Sequence, residues 1–148
     1  MSANLNATTT PYTPAANPAF NQTVLLVGRV LIALLFIVFG YLKLTNFGGT
    51  VNYFTKWGFP LPEVTSVVAI VFELGFGILL AIGWKARWWA WALALYVVIA
   101  AAVAHRYWTY DPAQTFAQMS FFYKNLAIIG GLLYIAAMGP GRYSVDRN

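Results

Sequence analysis

The stretch Val64–Trp84 (VTSVVAIVFELGFGILLAIGW) constrains this chain more than any other. It is apolar for about 20 residues, and at about 1.5 Å per residue that is the length a helix needs to cross a bilayer. Near its centre stands one carboxylate, Glu73. An ionised side chain at mid-membrane depth costs on the order of 3 kcal/mol or more, so it turns inward and takes a partner. Arg29 is the expected partner, and the rest of the chain reads as the box around the pair.

Composition agrees: 60% of the 148 residues are hydrophobic and 9% charged, where soluble domains carry about 25% charged residues. The expectation is an all-α integral membrane protein, a four-transmembrane-helix bundle with two amphipathic connectors. The net charge of +5 does not point to nucleic acid, because the basic residues sit singly at the ends of apolar runs, as topology and interface anchors do. The chain has no cysteine, which excludes thiol–disulfide chemistry, thiolate metal sites and iron–sulfur ligation by its own residues.

In chain order, residues 1–22 form a polar tail rich in Thr, Asn, Ala and Pro, expected to be extended and disordered, with no signal-peptide pattern. The membrane domain is expected over 23–142, followed by a short tail, 143–148. The first span runs from Thr23 to Leu44, interrupted by Arg29 and ending at Gly40-Tyr41-Leu42-Lys43. Gly48-Gly49 and Pro60/Pro62 break the next segment, within which Val51–Trp57 reads as a short surface helix. The second span is the opening stretch, closed by the basic turn Gly83–Arg87. The third, Trp88–Ala104, holds seven alanines from Ala90 onward, and small residues let helices approach closely in lipid. A second amphipathic connector is expected over Tyr107–Phe122. The fourth span runs from Phe121 to Met138, before the stop Gly139-Pro140-Gly141.

Four spans put both termini on one side. That side carries Lys85, Arg87, Arg142 and Arg147; the other carries Lys43, Lys56, Arg106 and Lys124. Lys43 and Lys124 lie within helix ends and are drawn into the interior, so the remaining excess favours cytoplasmic termini.

Depth counted along the helices puts Arg29 about 10 Å and Glu73 about 15 Å from the termini side, a difference an arginine can span. Arg29, Phe36, Gly40 and Lys43 share one face of the first span. On the second span, Gly77 shares the face of Glu73 and lets a neighbour come close. Lys43, His105, Lys124 and Asn125 come from three helices and fall near the opposite interface. Polar groups on one side of several spans require an inward-facing cavity. Each also has a plainer role open to it: Arg29–Glu73 as a pair that fixes register, the lysines as snorkelling anchors, His105 as an interface histidine. It is their convergence that argues for a site.

One histidine cannot supply bis-histidine haem ligation, and no nucleophile triad, phosphate loop or metal-ligand spacing occurs. An apolar pocket with cationic and hydrogen-bonding groups suits a lipid-soluble ligand with an anionic or carbonyl head, such as a quinone.

The sequence resembles the DoxX family of small four-helix bacterial membrane proteins. The resemblance spans Val24–Asp146 and rests on GRVLIALLFIVFGYLKL (Gly28–Leu44), GFP (Gly58–Pro60), FELGFGILLAIGWKARWWAWALA (Phe72–Ala94), AHR (Ala104–Arg106), YKNLAIIGGLL (Tyr123–Leu133) and GPGRYSVD (Gly139–Asp146). It implies a bacterial inner-membrane protein with cytoplasmic termini, and a link to quinone-coupled oxidation, since the family is named for a small subunit of a thiosulfate:quinone oxidoreductase. Arg29, Lys43, Glu73, His105, Lys124 and Asn125 match its recurrent polar positions.

The expectation is therefore a DoxX-like membrane subunit that binds a quinone or similar lipophilic ligand and is associated with membrane oxidoreductase activity, with no covalent cofactor and no metal. Lys43, Lys124, Asn125 and His105 would bind the head group, Arg29 and Glu73 set the cavity's polarity, and Glu73 and His105 are the candidate proton carriers. The lipid bilayer, other membrane subunits or further copies of the chain are the expected partners. The rival reading is a structural or assembly subunit of a larger respiratory or photosynthetic complex with no site of its own. A small-solute transporter is a weaker one, because broken helices flanking a central site are not visible in the sequence.

Overall fold

The computed structural model describes residues 18–146, and all of its regular structure is helical. The expectations for residues 1–17 and 147–148 lie outside the described residues. Helix α1 (Pro18–Thr45) is followed by a short surface helix, α2 (Phe47–Lys56). Then come α3 (Pro62–Ile82), α4 (Ala86–Ala104), a 3-10 turn at Tyr107–Thr109, and α5 (Pro112–Met138). Four of these segments are long and apolar enough to cross a membrane. They form a closed ring in which α1 packs on α3, α3 on α4, α4 on α5, and α5 back on α1. The chain is a multi-pass membrane protein.

The bundle is apolar outside as well as in, as a lipid-facing protein must be. On α4, Ala90, Leu93, Ala94, Val97 and Ala101 are buried at helical spacing, while Trp91, Leu95, Val98 and Ile99 are exposed. Bulk therefore faces outward and small residues face the neighbours, so helix contact rests on close packing rather than on hydrophobicity. Ala33, Leu80, Leu93 and Leu132, one from each spanning helix, are fully buried and fill the half of the bundle nearer the termini.

Two glycines are needed where they stand. A Cβ at Gly40 would lie 2.8 Å from Leu74 Cβ, so the end of α1 meets α3 backbone to backbone beside Glu73. Gly83 ends α3 at φ +76 and donates to Leu79 and Leu80 carbonyls, a left-handed cap that turns the chain directly into α4. Gly77 also behaves as its spacing requires, with Phe36 and Ile37 of α1 packed against it.

The structure departs from expectation in four places. Helix α2 starts at Phe47 instead of Val51, so Gly48-Gly49 lie inside a helix and do not break it. Helix α1 is already formed at Pro18, ahead of the expected start at Thr23. The second connector is a single 3-10 turn, because Pro112 starts a helix that runs unbroken into the fourth span. Most unexpectedly, α3 is not uniform: Val71–Phe76, the six residues around Glu73, wind as a π-helix. Such a wide turn is a rare and costly departure that often marks a functional position.

Candidate functional site

Side chains on a helix lean toward its N-terminus. Helix α1 starts on the termini side, so Lys43 in its last turn leans back into the membrane. Helix α3 runs the other way, so Glu73 leans toward Lys43. The two meet: Lys43 Nζ lies 2.6 Å from Glu73 Oε2. The second carboxylate oxygen accepts a 2.6 Å hydrogen bond from the Tyr96 hydroxyl on α4. Glu73 is buried, yet both its oxygens are satisfied and its charge is matched. The Tyr96 ring stacks on Phe72, with centroids 5.4 Å apart, which fixes the hydroxyl's direction.

The same leaning rule overturns the expected Arg29–Glu73 pair. Arg29 lies low on α1 and leans toward the termini side, away from Glu73. Its buried guanidinium donates to three backbone carbonyls, those of Ala81 (3.3 Å), Pro140 and Tyr143 (2.6 Å). It therefore ties the chain after α5 to the end of α3. Gln22, which accepts from the Arg142 amide at 2.6 Å, and Asp146, which accepts from the Lys85 amide, hold the same segment down. Arg87 is also engaged at this end, donating to the last carbonyls of α5, Ala136 (3.0 Å) and Ala137 (2.6 Å).

At the opposite end two cavities flank the Glu73 carboxylate. One, of about 460 Å³, is lined by Lys43, Glu73, His105, Lys124 and Asn125 together with Tyr96 and apolar side chains such as Phe39 and Ile128. Five of the six polar residues singled out in the sequence thus line one space, and Arg29 stands apart from it. The other cavity, of about 390 Å³, shares Lys43, Tyr53, Glu73, Tyr96 and His105 and is apolar over most of the rest of its wall, with Phe59, Val68, Phe72, Leu95, Ile99 and Val103. Val68, Leu95 and Ile99 are about half exposed, so this lobe opens sideways between α3 and α4.

His105 follows the last turn of α4 and pairs through Nδ1 with Gln118 Oε1 at 2.9 Å. A carbonyl oxygen only accepts, so Nδ1 carries the hydrogen and Nε2 is the atom left to act on a ligand. Lys124 lies over the Phe121 ring, 5.5 Å from its centroid. The two connectors roof this end through Trp57 and Tyr110, 5.9 Å apart. Burial pushes the Tyr53 phenol above its ordinary range, with a smaller push from Tyr110, so Tyr53 remains a donor at any physiological pH.

Tyr96 and Gln118 escaped the sequence reading. Tyr96 did leave a signal: it is the one hydroxyl in the middle of the third span, and in lipid a buried hydroxyl needs a partner. Among the described residues no three His, Cys, Asp or Glu side chains come together as a metal site would require.

Comparison with known proteins fits this architecture. The DoxX family model matches residues 24–106. The chain is 35% identical over 129 residues to inner membrane protein YphA of Escherichia coli K12, covering 87% of this chain and 92% of that protein. It is 36% identical to inner membrane protein YqjF of the same organism, covering 82% and 88%. A Surfeit locus protein 4 homolog of Schizosaccharomyces pombe is 33% identical over 82% of this chain but only 36% of its own length. No solved structure gives a significant match. With the family model covering more than half of the chain, and two relatives matched over nearly their full length, the protein belongs to the DoxX family.

Proposed function

We propose that this protein is an inner-membrane subunit that binds a lipid-soluble ligand of the quinone class and works with a membrane oxidoreductase that supplies the electrons. The observation that carries this reading is the position of Glu73, Lys43 and Tyr96 between a polar-lined lobe and an apolar lobe open to the side. An amphiphile with a compact polar head and a hydrocarbon tail fits that division. The head lies among Lys43, His105, Lys124 and Asn125, which offer donors to carbonyl or phenolate oxygens. The tail follows Phe72, Leu95 and Ile99 out between α3 and α4 into lipid. Glu73 and His105 carry protons to and from the head, Lys43 holds the Glu73 charge in place, and Tyr96 orients the carboxylate. Both Escherichia coli relatives are inner membrane proteins, which supports the same location; the excess of basic residues at the termini end favours termini that face the cytoplasm.

The test is chemical. Protein purified in mild detergent is extracted with organic solvent and the extract analysed for isoprenoid quinones. The expected result is quinone in wild-type extracts and its loss in Lys43→Ala and Glu73→Gln. Wild-type protein that retains none and binds none on titration contradicts the reading and favours a purely structural subunit.

A further inference from the structure

A third cavity, of about 350 Å³, lies between the last turn of α1 and helix α2. Lys43 and Tyr53 line it, as they line the other two, so the three spaces meet at these residues. Asn46 and Gly49 stand exposed at its mouth, on the surface opposite the termini, and the buried Thr50 stands deeper. Its wall carries the Asn46 amide, whose Oδ1 accepts from the Gly49 N–H, the Thr50 hydroxyl, which donates to the Lys43 and Asn46 carbonyls, and the Lys43 ammonium paired with Glu73. The Asn46 amide nitrogen, the Thr50 oxygen and the ammonium each keep capacity for a water. That is the lining a chain of water molecules needs, since each requires two to four polar partners. Toward the termini, Glu73 faces the fully buried layer of Ala33, Leu80, Leu93 and Leu132, and beyond it the Arg29-tied end of the bundle.

We propose that this opening is a one-sided aqueous path to Glu73: the carboxylate exchanges its proton, by way of Lys43, with the solution opposite the chain termini and with no other. In the uptake direction the Lys43 ammonium passes a proton across the 2.6 Å contact to Glu73. It regains one from hydronium in the opening, which leaves water, a carboxylic acid and an unchanged ammonium; release is the reverse. Tyr53 from α2 also lines the opening, while Tyr96 and His105 from α4 and Lys124 from α5 line the polar lobe on the other side of Lys43. The path does not depend on what occupies the two membrane lobes. Any proton consumed or released by a ligand there is exchanged with one side only, which makes its chemistry directional across the membrane.

The natural chain has no cysteine, so single cysteines report without background. Thr50→Cys and Asn46→Cys, each in sealed vesicles of known orientation, are treated with a charged, membrane-impermeant thiosulfonate from either side. Infrared difference spectra of the wild type follow the carboxyl band that disappears in Glu73→Gln while the pH is stepped on one side at a time. The expected results are modification from the side opposite the termini alone, and a carboxyl band that answers pH steps on that side alone. Modification of neither cysteine from that side, or a band that follows pH equally from both sides, overturns the proposal. Both measurements are made without added quinone, so their failure is separate from a failure of ligand binding.

Discussion

Glu73 sits where a lone charge would be intolerable, and its two partners are not equivalent. Lys43 neutralises it; Tyr96 only donates to it. Removing one partner of a buried pair leaves an uncompensated charge and costs about 3–5 kcal/mol, whereas replacing both by apolar groups is often close to neutral. Lys43→Met should therefore lower the melting temperature in detergent sharply, and Lys43→Met with Glu73→Leu should recover most of the loss. A double variant as unstable as the single one would show that the pair is not what the fold depends on here. Tyr96→Phe removes one charge-assisted hydrogen bond and should cost about 1–3 kcal/mol while weakening quinone retention. Tyr53 supplies a pH dependence. Its phenol is raised by burial, so its contribution to stability is complete below the ordinary tyrosine range near pH 10 and is lost as the pH climbs past it. Thermal melts from pH 8 to 11 should show that decline in the wild type and less of it in Tyr53→Phe.

At the scale of elements, the termini end and the opposite end have separate tasks. Arg29 holds the segment after α5 through three carbonyls. Arg29→Met leaves those acceptors to find other partners, and unsatisfied buried groups cost about 1–3 kcal/mol each. It should destabilise the protein and expose the chain beyond Met138 to proteolysis, yet leave the quinone content per folded molecule unchanged. Loss of ligand in Arg29→Met would put the two ends in communication and count against this division. The four spans could be read from the sequence because length and apolarity alone decide them, and the glycines and prolines that punctuate them act locally. Depth counting brought Lys43, Glu73, His105, Lys124 and Asn125 towards one end of the bundle, where they line one cavity, but it paired Glu73 with Arg29 instead of Lys43. It measures where backbones lie, whereas opposed helices lean Lys43 and Glu73 toward each other and Arg29 away. The π turn left no comparable trace; it lies where α3 meets α1, at the close approach of Gly40 to Leu74. Nor did the length of α5, whose polar first turns read as a connector until Pro112 is seen to begin a continuous helix.

The whole molecule is a bundle closed by packed side chains at the termini end and hollow at the other, with Lys43, Tyr96, His105, Lys124 and Asn125 gathered around the Glu73 cavity. The site draws on every spanning helix: Lys43 from α1, Glu73 from α3, Tyr96 from α4, Lys124 and Asn125 from α5. The claim tested most directly is that a lipophilic ligand enters between α3 and α4 and stops at Glu73. A quinone analogue with a photoreactive diazirine on its tail, activated in membranes containing the protein, locates its own path by the residues it labels. The expected result is adducts concentrated at Phe72, Leu95 and Ile99 and diminished by excess natural quinone. Adducts spread evenly over the lipid-facing side chains Leu31, Val38 and Val67, with no competition, would contradict it.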